Sequence, residues 1–562
     1  MKLFRRETAL YLIAFVLALA VRLIRLGTLP LTDVEAKWAL QALGVAQGTH
    51  PALGSQPAYV LLTSIFFFLY GGGTNFLARL VPALTGSVLV FVPILFQDRI
   101  KPRPSLILAF FLALDPGLVA LSRQAGSSIL AITFLFLAWG FWRKKNAPWA
   151  GVFGGLALLS GPALWPGLLG LALTWAILQA WERGPKTESA QGPARGEWLS
   201  ALWFGLGTLV IGGTLFFLSP NGLSAWISSL PEYVAGWRNP SGVSFGTLLF
   251  SLVAYQPLAL ILGLIAIGRG LWFKSRRATR LSLWALVALL LALFYPARQV
   301  SDLAWMLIPL WSLAALELAR NLKIFNEERV EVLGVVGLSI LILAFSWLDF
   351  LALNQTAIPS AQANLRAWLL FGSLFLLVMS VLLVAVGWSI RSARLGAVWG
   401  VVAALGIYSL SAMLGAGGLR VAPGAELWNA GAAPAESDLL LKTVDQISDW
   451  SKTNINAQPV TIAGIDSPAL EWLLHKHKVD VVSSLDASAS PPIVITTGQD
   501  NPGLAAGYRG QSFVWRQSPL WNDAQIVDWM HWAAFHQMPQ SSETIIVWVR
   551  DDLFIDSTAP KP

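Results

Sequence analysis

Two carboxylates lie two residues apart, Asp33 and Glu35 in "LTDVEAKWAL", just after the first apolar segment of the chain. Acids at a membrane edge with arginines facing them suit one kind of chemistry. Guanidinium groups hold the oxygens of an anionic lipid phosphate, and a carboxylate takes a proton from a hydroxyl. The candidate cations are Arg123 in "LDPGLVALSRQAGSS" and Arg298 in "YPARQVSD". Each has a plainer reading. "TDVE" fits a capping box with Thr32 as N-cap, which would engage Glu35 and leave Asp33 the freer of the two. Arg123 and Arg298 could equally anchor helix ends at the interface, and Arg22 and Arg25 read as snorkelling from the end of the first helix. His50, a lone loop histidine, reads as solvated.

The elements that must position these groups are membrane helices. Of the 562 residues 55% are hydrophobic and only 12% charged, and the mean hydropathy is +0.61, which excludes a water-soluble protein. Apolar runs long enough to span a hydrocarbon core of about 30 Å recur up to residue 415. They are expected at 8–26, 79–97, 105–121, 127–142, 149–164, 166–181, 198–218, 243–268, 281–295, 302–319, 331–351, 365–388 and 397–414, thirteen in all. The expected fold class is therefore a multi-pass α-helical membrane protein. Its transmembrane domain covers 1–415, and a soluble α/β domain covers 416–562.

Charge sets the expected sidedness. With the N-terminus in the cytoplasm, the inner loops collect most of the cations, among them Lys101, Arg103, Lys144, Arg183, Lys186, Arg277, Arg320 and Lys323, as the positive-inside rule requires. The net charge of +8 thus reflects topology, and nucleic acid is excluded as a partner. The stretch "PAYVLLTSIFFFLYGGG" (57–73) is read as an interfacial helix ended by Gly71 to Gly73, because a crossing there would reverse that bias. The first outer loop then runs from 27 to 78. An odd number of spans places the C-terminal domain outside the cell membrane. With no Cys in the chain, disulfides and thiolate metal sites are excluded.

In the C-terminal domain, helix patterns at "AESDLLLKTVDQISDWSKT", "SPALEWLLHKH" and "WNDAQIVDWMHWAAFHQM" alternate with strand patterns at "PVTIAGI", "VDVVSSL", "PPIVITTG", "GQSFVWRQS" and "ETIIVWVRDDLF", as in a small layered α/β structure. The "HKH" histidines, two residues apart, do not share a helix face and read as a solvated helix end. No phosphate-binding Gly loop or nucleophile elbow is present, so the domain is expected to position an acceptor or cover the site.

In order and sidedness these features resemble the GT-C membrane glycosyltransferases, the group that includes family 39, the protein O-mannosyltransferases and the lipid A aminoarabinose transferases. The resemblance covers about residues 8–320. It rests on the acidic pair in "LTDVEAKWALQAL", on "QPAYVLLTSIFFFLYGGGTNFLARLVPALTG" with Gln56 and Arg79, and on Pro116 followed by Ser122 and Arg123. The helix break in "GGLALLSGPALWPGLLGLAL" and the outer loop "ARQVSDLAWMLIPLWSL" with Arg298 and Gln299 complete it.

The resemblance implies an inverting transferase at the outer face of the cell membrane. Its donor would be a polyprenyl-phosphate sugar, and its acceptor a hydroxyl of a protein or of a lipid or glycan. Asp33 would be the base and Glu35 an orienting group or, with Asp33, a ligand for a divalent metal. Arg123 and Arg298 would contact phosphate, with Gln299, Arg79 and Gln56 in the substrate site. Three departures set the alternative, a catalytically inactive GT-C-like scaffold or subunit of a membrane complex. Val34 separates the acids, Ser127 and Ser128 stand where a second Asp is usual, and "LLSGPALW" lacks the usual Lys. A transporter ranks last, since the polar groups gather at one face rather than at mid-membrane.

Overall fold

Among the described residues, helices predominate from Lys2 to Ala416, and the six strands lie beyond it. The computed structural model describes every residue except 1, 182–194, 323–327, 356–359, 422–423, 430, 452–457, 499–502 and 558–562. Arg183, Lys186 and Lys323, expected in inner loops, lie outside the described residues.

A helix occupies each of the thirteen expected positions, but length and apolarity qualify fewer as crossings. Among the described residues seven helices suffice alone, and up to nine if each of two bent pairs is one span. The helices Ile129–Arg143 and Ala147–Leu158 have 15 and 12 residues, about 22 and 18 Å at 1.5 Å per residue, and fall short by themselves. The same arithmetic applies to Pro57–Tyr70, whose 14 residues reach about 21 Å. Gly71 ends that helix with φ +81°, a left-handed cap that a residue with a Cβ adopts only under strain.

Both bends are written in the sequence as X-Pro pairs. Pro cannot donate to the preceding turn and pushes the residue before it out of the α region. Pro102–Leu114 and Pro116–Ser122 meet at 56°, and Phe245–Tyr255 and Pro257–Trp272 at 92°. The continuous helix expected over 243–268 is therefore broken at Gln256. The two breaks are tied together: Asp115 Oδ2 accepts from Gln256 Nε2 at 2.7 Å and from Trp311 Nε1 at 2.6 Å, while Oδ1 caps Leu118 N–H.

Arg22 completes this buried group, and it does not snorkel. It is fully buried and donates to the carbonyls of Leu112 and Ala113 and to Ser122 Oγ. The bend at Pro116 costs those carbonyls their ordinary helical partners, and the guanidinium replaces them.

The C-terminal domain is a six-stranded mixed sheet of β1 (Ala433–Pro434), β2 (Val460–Ala463), β3 (Val479–Val482), β4 (Ile493–Thr497), β5 (Tyr508–Pro519) and β6 (Gln540–Arg550). The strand order is β1-β5-β6-β4-β2-β3, with β2 parallel to β3 and β4 and the other pairings antiparallel. Ile462, Ile493, Ile495, Phe513, Trp515 and Val547 fill its core. The helices Ser437–Ser451, Pro468–Leu473 and Ile526–Phe535 fall where their periodicity placed them. The "HKH" end is not solvated as expected: His477 is buried with Nε2 2.9 Å from Asp445, and His475 Nδ1 lies 2.6 Å from the Trp472 carbonyl.

The domain sits on the face that carries Asp33 and Arg79. Trp472 donates to Asn75 Oδ1 at 2.8 Å and stacks on Phe67. The connecting strap inserts Trp428, 2% exposed, against Tyr255 and over Gly117, where a Cβ would lie 2.5 Å from the indole.

Candidate functional site

The helix Asp33–Ala46 starts with the capping box read from "TDVE". Thr32 Oγ1 accepts from Glu35 N–H, and Glu35 Oε2 accepts from Thr32 N–H. Glu35 does more than cap. Arg79, from the first turns of Asn75–Val88, grips it with Nε to Oε1 and Nη2 to Oε2, both at 2.7 Å, and Ala125 N–H donates to Oε1 at 3.0 Å. The remaining Arg79 bonds go to the carbonyls of Leu26, Leu29 and Pro30. Burial would push the Glu35 carboxyl up, but the charge and hydrogen bonds of Arg79 with the Ala125 and Thr32 amides hold it below the usual carboxylate range. The pair is thus an ionic staple that fixes the start of the first loop.

Asp33, two residues earlier, faces the sheet domain. Its Oδ1 accepts from Ser467 Oγ at 2.7 Å and from Ala469 N–H at 3.0 Å, and its Oδ2 lies 2.8 Å from Arg516 Nε. The carboxylate keeps 26% of its side-chain exposure, against 6% for Glu35. Arg516 bridges Asp33 to Glu543. Burial opposes the charge on Arg516, but the two carboxylates outweigh it and raise its pKa further. Both hydrogen bonds fall on Oδ1, and Oδ2 meets only the Arg516 ion pair, so Oδ2 keeps acceptor capacity among the described residues.

Arg123 is committed elsewhere. Nε donates to Gly417 O at 2.5 Å, Nη1 to the carbonyls of Val21, Arg22 and Ile24, and Nη2 to Arg25 O. It closes the C-terminal ends of the first and last membrane helices, where orphan carbonyls and the helix dipole favour a cation. Arg298 donates through Nε to Val243 O and through Nη1 to Leu293 O; Nη2 has no hydrogen-bond partner among the described residues. Gln299 is exposed, and its backbone N–H donates to Asp302 Oδ2. Gln56 precedes Pro57–Tyr70, makes no side-chain cap, and lies against Gly161. His50 is exposed.

The structure therefore brings Glu35 and Arg79 into one staple with Arg123 beside it, while Asp33 belongs to the junction with the sheet domain. Arg298 and Gln299 stand in a separate loop that no hydrogen bond or ion pair joins to this group among the described residues. The acidic pair does not fit a divalent metal as arranged, because a guanidinium fronts each carboxylate and positive charge there repels a cation. No cluster of three or more His, Asp or Glu suited to a metal occurs among the described residues.

Sequence reading missed Arg516 and Ser467. The Ser-Pro start of "SPALEW" signals a helix N-cap, but nothing local pairs it with an acid 434 positions away. It also missed a second buried group in the strap, where Glu426 accepts from the Tyr255 hydroxyl and lies 3.2 Å from His536 Nδ1.

In fold the chain is similar to ArnT from Cupriavidus metallidurans bound to undecaprenyl phosphate, at 14% identity and a TM-score of 0.55, covering 98% of this chain and 99% of that one. The apo state of that protein matches with the same identity and TM-score over 99% of each chain. An oligosaccharyltransferase from Archaeoglobus fulgidus in complex with Zn and sulfate gives 12% identity and a TM-score of 0.40 over 87% of this chain and 68% of that one, too low to bear on the fold. No protein-family model and no curated protein matches the sequence. The chain has a GT-C fold, with an ArnT-like arrangement from end to end.

Proposed function

We propose that this GT-C chain is a polyprenyl-phosphate-sugar-dependent, inverting glycosyltransferase that works at the outer membrane face on a protein, lipid or glycan hydroxyl. One observation carries the reading: on an ArnT-like fold, Asp33 is the partly exposed carboxylate on the membrane side of the junction with the sheet domain, while Glu35 is buried in its staple. In the proposed step Asp33 takes the proton of the acceptor hydroxyl. The oxygen bonds to the anomeric carbon from the face opposite the phosphate, the carbon–oxygen bond to phosphate breaks, and its electron pair leaves with the polyprenyl phosphate. Charge on that phosphate needs cations already in place. Arg298, whose Nη2 has no hydrogen-bond partner among the described residues, suits the role better than Arg123, which would have to abandon main-chain carbonyls. No step is routed through a metal.

The scaffold alternative also has a specific observation in its favour. Every donor around Asp33 comes from the sheet domain, so the same contacts serve as a docking joint. Sugar transfer from a panel of radiolabelled polyprenyl-phosphate sugars by purified wild type and Asp33→Asn separates the two. Turnover by wild type, lost in a variant with normal thermal unfolding, supports the transferase; turnover retained by that variant removes Asp33 as base. No transfer and no lipid-phosphate binding across the panel would favour the scaffold.

A further inference from the structure

A large cavity lies at the face remote from the sheet domain. It encloses about 710 Å³ between the start of Pro102–Leu114, the end of Pro257–Trp272, the start of Arg276–Phe294 and the end of Ala304–Arg320, with Glu7 of the first helix beside it. Five cations line it. Arg269 is paired with Glu317, which is 3% exposed. Lys101, Arg103, Arg277 and Arg320 form no ion pair among the described residues, and Glu7 is the one other acid in the lining.

A bias of cations toward one face accounts for charge in the loops. It does not account for gathering them from separate helix ends around one hollow, since like charges at that range repel and the lining holds too few acids to neutralise them. The rim is also held under backbone strain, with Lys101 at φ +79° and Lys274 at φ +49°, a region costly for residues with a Cβ. Between the cations the lining has apolar members at Ala266, Phe273 and Leu316. Leu271, Trp272 and Phe273 at the end of Pro257–Trp272 are all exposed, so an uncovered apolar surface adjoins the cavity.

We propose that this cavity binds a phosphate-bearing anion, presented as the headgroup of an anionic phospholipid whose acyl chains follow the apolar flank. Basic pockets between membrane helices hold lipid phosphates in this way. The site is separate from the Asp33 group, at the other end of the helices, and does not rest on the transferase reading.

The test is native mass spectrometry of the full-length protein released from nanodiscs of equal phosphatidylglycerol and phosphatidylcholine. Wild type is expected to retain phosphatidylglycerol in preference by about tenfold. The exposed pair Arg277→Gln with Arg320→Gln should abolish the preference, whereas Arg277→Lys with Arg320→Lys, and Arg99→Gln outside the cavity, should keep it. Equal retention of the two lipids by wild type overturns the proposal, and so does undiminished preference in the double glutamine variant. Inorganic phosphate added to the sample separates the sources: failure to displace the lipid supports a headgroup site, while displacement retains the phosphate chemistry and overturns the lipid as its source. Should the glutamine variant unfold, wild type carries the test alone, since a charge-held headgroup must be lost as salt rises.

Discussion

Glu35→Gln replaces one oxygen by nitrogen, yet the structure makes it the costlier of the two acid-to-amide changes. Glu35 and Arg79 retain only 6% and 7% of their side-chain exposure, and removing one partner of such a pair leaves a buried charge uncompensated, at about 3–5 kcal/mol. Arg79 keeps the carbonyls of Leu26, Leu29 and Pro30, which places the loss near the lower end, about 3 kcal/mol. The new amide cannot avoid a clash of donors. Turned one way its NH2 meets Arg79 Nε and the Ala125 amide, and turned the other way it meets Arg79 Nη2 and the Thr32 amide.

Asp33→Asn removes a partly exposed pair with Arg516, and solvent screening limits that loss to about 1 kcal/mol. The assay is thermal unfolding of both variants in detergent, followed by tryptophan emission, with sugar transfer measured in parallel. Glu35→Gln should unfold several degrees below Asp33→Asn, while Asp33→Asn alone should lose transfer at normal stability. An unchanged Tm for Glu35→Gln, or a lower one for Asp33→Asn, refutes the division between staple and base.

Acid should weaken the same staple. Because the folded Glu35 carboxyl lies below its ordinary value of 4.5, its stabilisation is complete above that value and is lost as pH falls through the lower folded value; Tm measured from neutral pH into this range should fall less steeply in Glu35→Gln than in wild type. Asp115→Ala strips the link between the two helix breaks and leaves Gln256 and Trp311 without their buried acceptor, so a loss of about 3 kcal/mol is expected, read as reduced yield of folded protein and a lower Tm. Trp428→Ala empties a buried indole site at about 3–5 kcal/mol and should expose the strap to limited proteolysis. Arg516→Ala should lower the transfer rate with little change in Tm if Arg516 orients Asp33, as gel-based transfer assays would show.

What was legible in the sequence was whatever rests on local chemistry. The helix cap at "TDVE", the glycine stop after Tyr70, the two-residue alternation of the sheet strands and the apolar runs all follow from neighbours within a few positions. The breaks at Asp115-Pro116 and Gln256-Pro257 are equally readable as X-Pro pairs, yet the spans expected at 105–121 and 243–268 run through both, because hydropathy alone continues across them. What was not legible depends on groups far apart in the chain. Arg22 looked like a snorkelling helix end, since nothing within a turn of it shows that Pro116, about ninety residues on, orphans the carbonyls it serves. Arg123 carries the same lesson: its acceptors lie about a hundred residues before it and nearly three hundred after it.

This distribution bears on how the acids should be read. A motif of two carboxylates invites a shared role, but their surroundings separate them completely. One meets a guanidinium from its own membrane half, is buried, and has donors on both oxygens; the other meets a guanidinium from the sheet domain and stays partly in solvent. A general base needs an oxygen that a substrate can reach and a partner that can orient it without consuming it. In the proposed reading Asp33 is the more exposed acid, and the partner that would orient it, Arg516, belongs to the appended domain. The reaction proposed for the membrane half therefore depends on the sheet domain being docked, and separating the two should stop transfer even where every membrane residue is intact.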